Sequence, residues 1–146
     1  YLRLAELQPV HTVVEGRALA ARWAKIGASI DQESANLRRG LAAGKVSTRA
    51  EVSRVVGQLD ELLAKPDAEW PLRAPAAAPH PDWSPADRAA LTSAVDAAIA
   101  RGIRAAFTRY RDLLKDEILP RARDDAHSGI ALAAGKVSDA PSRPPQ

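Results

Sequence analysis

An all-α fold is predicted for this chain, from three observations. Alanine is very frequent and Leu, Val, Arg and Glu are common; Ala, Leu and Arg in particular lose little side-chain freedom in a helix. Apolar residues recur at spacings of three and four, and no stretch sustains the period-two alternation of a half-buried strand. Prolines and glycines fall where those periodic runs stop. The 146 residues supply one domain with a real core and not two ordinary ones. The expected architecture is a set of long antiparallel helices joined by a Pro-rich linker. The helical region spans residues 1–134, with the linker at 66–83, and a disordered tail occupies 135–146.

Taken in order, the first piece holds Leu2, Leu4 and Leu7 and is interrupted by Pro9, which removes a helical hydrogen bond. A second helical piece is expected from about Val10, with a stripe through Val13, Val14, Trp23, Ile26, Ile30, Leu37 and Leu41 and a polar gap at residues 31–34. Gly44 follows the last apolar residue, where glycine takes left-handed geometry at low cost. Thr48 and Glu51 then form a T-x-x-E capping box. Val52, Val55, Val56, Leu59, Leu62 and Leu63 repeat behind it, the cleanest amphipathic pattern in the chain. Glu61 and Lys65 stand four apart in the favourable order, and Pro66 stops the helix.

Five prolines between 66 and 83 predict an extended, semi-rigid linker, pinned to the helices by Trp70, Leu72 and Trp83. Ser84 as N-cap, Pro85 at the first helical position and Asp87 in the first turn open a long helix. Its stripe runs through Leu91, Val95, Ile99, Ile103, Phe107, Tyr110, Leu114 and Ile118. Gly102 lies where a neighbouring helix can approach closely, and Pro120 ends or kinks the helix. The heptapeptide Leu41-Ala42-Ala43-Gly44-Lys45-Val46-Ser47 recurs at residues 132–138. Its flanks do not match, so it reads as two glycine-closed helix ends rather than a solenoid unit.

Several classes of function are excluded or disfavoured. Without Cys there is neither a disulfide framework nor a thiolate metal site. A net charge of +3 arises from 21 basic and 18 acidic residues that are interspersed, the pattern of a solvated helix surface rather than a nucleic-acid footprint. No apolar run reaches membrane-spanning length, and periplasmic and cytoplasmic locations are both open. His11, His80 and His127 are too far apart for an H-E-x-x-H metal motif and read as exposed loop histidines. Asp124, Asp125 and His127 match no known metal signature. Asp116 and Glu117 point to different sides of a helix and make a poor acid–base pair. Arg101, Arg104, Arg111 and Lys115 share a helix face that can meet phosphates, but Asp112 and Asp116 dilute it and no aromatic residues interleave with it. Solvation or internal pairing is the expected fate of that stripe. No catalytic motif, metal ligand or cofactor site is found in the chain.

Several local patterns fit together. Trp23 is followed by Leu37-Arg38-Arg39-Gly40-Leu41-Ala42-Ala43-Gly44-Lys45-Val46 and then by Val55-Val56-Gly57-Gln58-Leu59. Further on stands Phe107-Thr108-Arg109-Tyr110-Arg111-Asp112-Leu113-Leu114, then Asp116-Glu117-Ile118-Leu119-Pro120-Arg121-Ala122-Arg123. In that order they resemble the N-terminal half of bacterial proteins in domain-of-unknown-function family 885, over about residues 1–129. That family is similar to all-helical zinc carboxypeptidases. The resemblance implies a deep cleft between long helices and a zinc ion held in a C-terminal half, by a His-Glu motif that this sequence does not contain. It implies a non-catalytic, cleft-covering and packing role for these residues, with the C-terminal half of the same protein or another helical element as partner. Tyr110, Arg121 and Arg123 are the matched positions with chemistry suited to substrate contact: a phenol for hydrogen bonding and two guanidinium forks for a carboxylate. Past Gly129 the sequence leaves the family pattern. The rival expectation is a stand-alone helical interaction module.

Overall fold

The structure, a computed structural model, describes residues 9–124. Helix α1 (Val13–Ala42) rises first, for roughly 45 Å at the usual helical rise. Its N-cap is Thr12, whose hydroxyl accepts from the Glu15 N–H while the Glu15 carboxylate accepts from the Thr12 N–H. The helix therefore starts three residues later than the expected Val10, because this T-x-x-E box fixes the first turn. It runs straight through the polar stretch at 31–34, where buried Ser34 bonds the Ile30 carbonyl. The helix closes in a Schellman turn: the Lys45 N–H reaches the Gly40 carbonyl and the Gly44 N–H reaches that of Leu41. Gly44 sits at φ +71°, as that turn requires.

Helix α2 (Arg49–Ala64) descends from its Thr48–Glu51 capping box. Lys65 is the C-cap, with ψ 143°, and the expected Glu61–Lys65 pair is absent from the ion pairs formed among the described residues. The Pro-rich linker completes the descending leg. It is not extended, as the prolines suggested, but is wound into 3-10 turns at Asp67–Glu69 and Pro71–Arg73 and a single α turn, α3 (Ala74–Ala77). Pro71 and Pro75 occupy first-turn positions, where a missing N–H leaves nothing unsatisfied and the fixed φ already suits a helix.

The second ascending leg is one continuous helix over residues 85–118, capped by Ser84. It comprises α4 (Pro85–Ala98), a π turn (Ile99–Ile103), α5 (Arg104–Leu113) and a second π turn (Leu114–Ile118). The second π turn precedes Pro120, which offers no N–H to the Asp116 carbonyl and crowds it; a short 3-10 turn (Leu119–Arg121) then ends the leg. The order is up, down, up. The descending leg is antiparallel to both others, and α1 runs alongside residues 85–118 in the same direction. At the far end the Arg49 N–H donates to the Arg123 carbonyl (2.8 Å) and the Arg123 N–H to that of Ser47 (3.1 Å), a single parallel bridge. The expected tail, Leu2, Leu4, Leu7, His127 and the second heptapeptide copy lie outside the described residues.

The core gathers Leu19, Trp23, Ile26 and Ile30 from α1, Val52, Val56, Leu59 and Leu62 from α2, and Val95, Ile99, Ile103 and Phe107 from the third leg. The linker is part of it: Trp70 and Leu72 are fully buried and Trp83 nearly so. Each tryptophan also satisfies its indole N–H. Trp23 donates to the Leu72 carbonyl at 2.9 Å, Trp70 to that of Lys65 at 3.3 Å and Trp83 to that of His11 at 3.0 Å. These bonds tie the linker to α1 and to the chain before it. Among the described residues no helix is long and apolar enough to cross a membrane.

Candidate functional site

Helices α1 and α2 each pack mainly on the third leg, which leaves a seam between them. At the far end the seam opens into a recess of about 120 Å³ lined by Leu37, Ser47, Glu51, Val52, Val55, Tyr110, Leu114 and Ile118. Leu37, Val55 and Tyr110 are half-buried, so its walls are apolar and partly wet. Tyr110 comes from α5 because the 3.6-residue period that buries Phe107 and Leu114 turns position 110 toward the seam.

A second, more open recess adjoins the first through Ser47 and is lined by Gly44, Lys45, Val46, Ser47 and Arg123. Arg123 is brought there by the parallel bridge to Ser47 and Arg49. Arg121 lies one turn back, close enough for its charge to act on Glu117. Tyr110, Arg121 and Arg123 thus share one end of the bundle. Tyr110 floors the seam and Arg123 lines the neighbouring recess, while Arg121 is exposed and its charge acts on Glu117. The acids at this end are already engaged. The Thr48 N–H holds the Glu51 carboxyl below its ordinary range, and Arg123 adds a smaller effect. The Arg38 guanidinium, bonded to both Glu117 oxygens, lowers that carboxyl. Asp124 meets Arg49 at 3.5 Å.

The predicted basic stripe is largely consumed by the fold. Arg104 donates to Asp67 (2.6 Å) and to the Leu63 and Lys65 carbonyls exposed by the end of α2, and it lies 4.8 Å over the Trp70 ring. Arg111 bonds Asp60 and Asp112. Arg101 and Lys115 remain on the surface. Along the α1 face, Asp31 pairs with Arg109 and Arg38 with Glu117, so Glu117 holds a structural ion pair rather than half of a carboxylate dyad.

The histidine expectation fails at His80. It is buried, with its ring stacked on Trp83 at 4.2 Å and Nε2 2.9 Å from the Pro75 carbonyl. The turn between α3 and Ser84 folds its side chain inward, where the ring finds both an aromatic face and an acceptor. Among the described residues no group of three or more His, Cys, Asp or Glu side chains could hold a metal ion. Sequence reasoning overlooked Lys45 and Ser47 as parts of the far-end recess. They carry no motif, and only the Arg123 bridge reveals their setting.

A family model described as "Bacterial protein of unknown function (DUF885)" matches residues 1–140, so the match runs past Gly129, where the sequence was expected to leave the family pattern. No curated protein and no solved structure matches the chain.

Proposed function

The chain belongs to the bacterial family of unknown function DUF885, and on that premise we propose that it forms the non-catalytic, helical N-terminal portion of a metallopeptidase-like hydrolase. In this reading it packs beside the substrate cleft and covers part of it. Zinc and the chemistry would belong to residues other than these. The observation that carries the reading is the seam: half-buried Leu37, Val55 and Tyr110 form an unfinished wall that opens at the end bearing Arg121 and Arg123. Further structure packed on that wall would turn it into one side of a cleft. Tyr110 would then offer a hydrogen bond to substrate, and the two arginines would meet its anionic groups.

The intact mass of the native protein tests this. A mass well above the 15.6 kDa of these residues is expected, with metal retained on purification. A native mass of 15.6 kDa would overturn the reading. A second reading, a stand-alone helical interaction module, rests on a different surface. Val14 is 74% exposed beside an apolar recess lined by Val13, Gly16, Ala20, Trp83, Leu91 and Ala94. Self-association in sedimentation, abolished by Val14→Asp, would favour that alternative.

A further inference from the structure

We propose that the recess at the α1–α2 turn is a phosphate-binding site, built by Lys45, Ser47 and Arg123. This goes beyond the hydrolase reading and does not require it. The surplus of positive charge is local. Among the described residues Lys45 and Arg123 close no salt bridge, while the acids at this end are committed: Glu51 to the α2 cap, Glu117 to Arg38 and Asp124 to Arg49. Glu51 offsets part of the Arg123 charge, and the remaining surplus suits a dianion better than a single carboxylate.

The donor inventory points the same way. The Schellman turn uses the Gly44 and Lys45 amides, but among the described residues the Val46 and Ser47 amides have no backbone acceptor. With the Ser47 hydroxyl, the Lys45 ammonium and the Arg123 fork, the residues lining this recess carry more donors than the two oxygens of a carboxylate can use. A phosphate group, with at least three terminal oxygens and close to two negative charges, matches both the count and the charge. The scaffold is fixed from both sides, by Gly44 in its left-handed turn and by the two backbone hydrogen bonds between Arg123 and residues 47 and 49.

The test is a titration of the full chain with inorganic phosphate at constant ionic strength, read from the amide resonances of residues 44–49. Saturable shifts centred on Val46 and Ser47 are expected. Lys45→Ala and Arg123→Ala should each weaken binding roughly tenfold, the loss of one charge-assisted interaction. Both side chains are exposed, so unchanged thermal unfolding of the variants checks that the scaffold persists. Arg22→Ala, at an exposed position of α1 outside the recess, should bind as the parent does. Absence of saturation, an equal loss in Arg22→Ala, or acetate binding as tightly as phosphate would each overturn the proposal.

Discussion

Gly27 is a residue at which the fold leaves little room for a side chain. A Cβ built there would stand 3.1 Å from the Gly102 carbonyl oxygen and 3.2 Å from its carbon, both backbone atoms that cannot swing aside. Gly57, on the exposed side of α2, has nothing within 4 Å of the same construction. The two glycines therefore predict opposite outcomes for one substitution. Gly27→Ala should lower unfolding stability by about 1–3 kcal/mol, as overpacking does. Gly57→Ala should raise it by about 0.5–1 kcal/mol through helix propensity. Urea denaturation of the two variants decides the matter, and a stabilised Gly27→Ala would mean that α1 does not lie on the first π turn. The sequence points to Gly102 as a place of close approach and is right about the contact. It is silent on which partner lacks room, because Gly27 lies 75 positions away and meets Gly102 only across the bundle. His80 is illegible for a different reason: its stacking partner Trp83 is near in sequence, but only the folded turn brings the ring inward.

At the scale of the element, the helix starts rest on carboxylates. The His11 and Thr12 amides hold the Glu15 carboxyl below its ordinary range, and the Thr48 amide does the same for Glu51. Hydrogen bonds from Arg38 and Arg73 depress Glu117 and Asp96. A depressed folded-state pKa contributes stability above the unfolded pKa, and that contribution is lost as pH falls through the folded value. Stability should therefore be flat near neutrality and begin to fall below about pH 4.5, where unfolded carboxylates take up protons. The paired arginines stay charged throughout and add no opposing slope. Urea midpoints measured from pH 7 to pH 3 check this; Glu51→Gln should flatten the acid limb, and a midpoint constant to pH 3 would contradict it. Most of this level was legible. The Thr48 box and the Ser84 cap follow from side-chain type and spacing alone, and Thr12 with Glu15 obeys the same rule three residues after Pro9. The ion pairs between helices were not legible, since Arg38 with Glu117 and Asp31 with Arg109 depend on two legs running in register.

For the whole molecule, the consequential feature is that half of the descending leg is linker. Composition made residues 66–83 look like a tether, and the apolar anchors Trp70, Leu72 and Trp83 were the visible sign that it docks. What composition could not convey is that the docked linker replaces a helix, supplying the wall against which Trp23 and Phe107 pack. The recess at Lys45 and Ser47 is illegible for a related reason: Arg123 reaches it through a bridge that joins the ends of distant helices. If the linker is core, the molecule should unfold as one unit. Its tryptophans make this measurable, because Trp70 and Trp83 sit in the linker and Trp23 bonds to it, while far-UV circular dichroism reports chiefly on α1, α2 and the helix over residues 85–118. Fluorescence and circular dichroism should give coincident denaturation curves. Trp70→Ala, which removes the Phe107 contact at 6.1 Å and the ring beneath Arg104, should shift both curves together by about 3–5 kcal/mol. A fluorescence transition that precedes the loss of helix would show the linker leaving an intact bundle, and the descending leg would then have to be held by α2 alone.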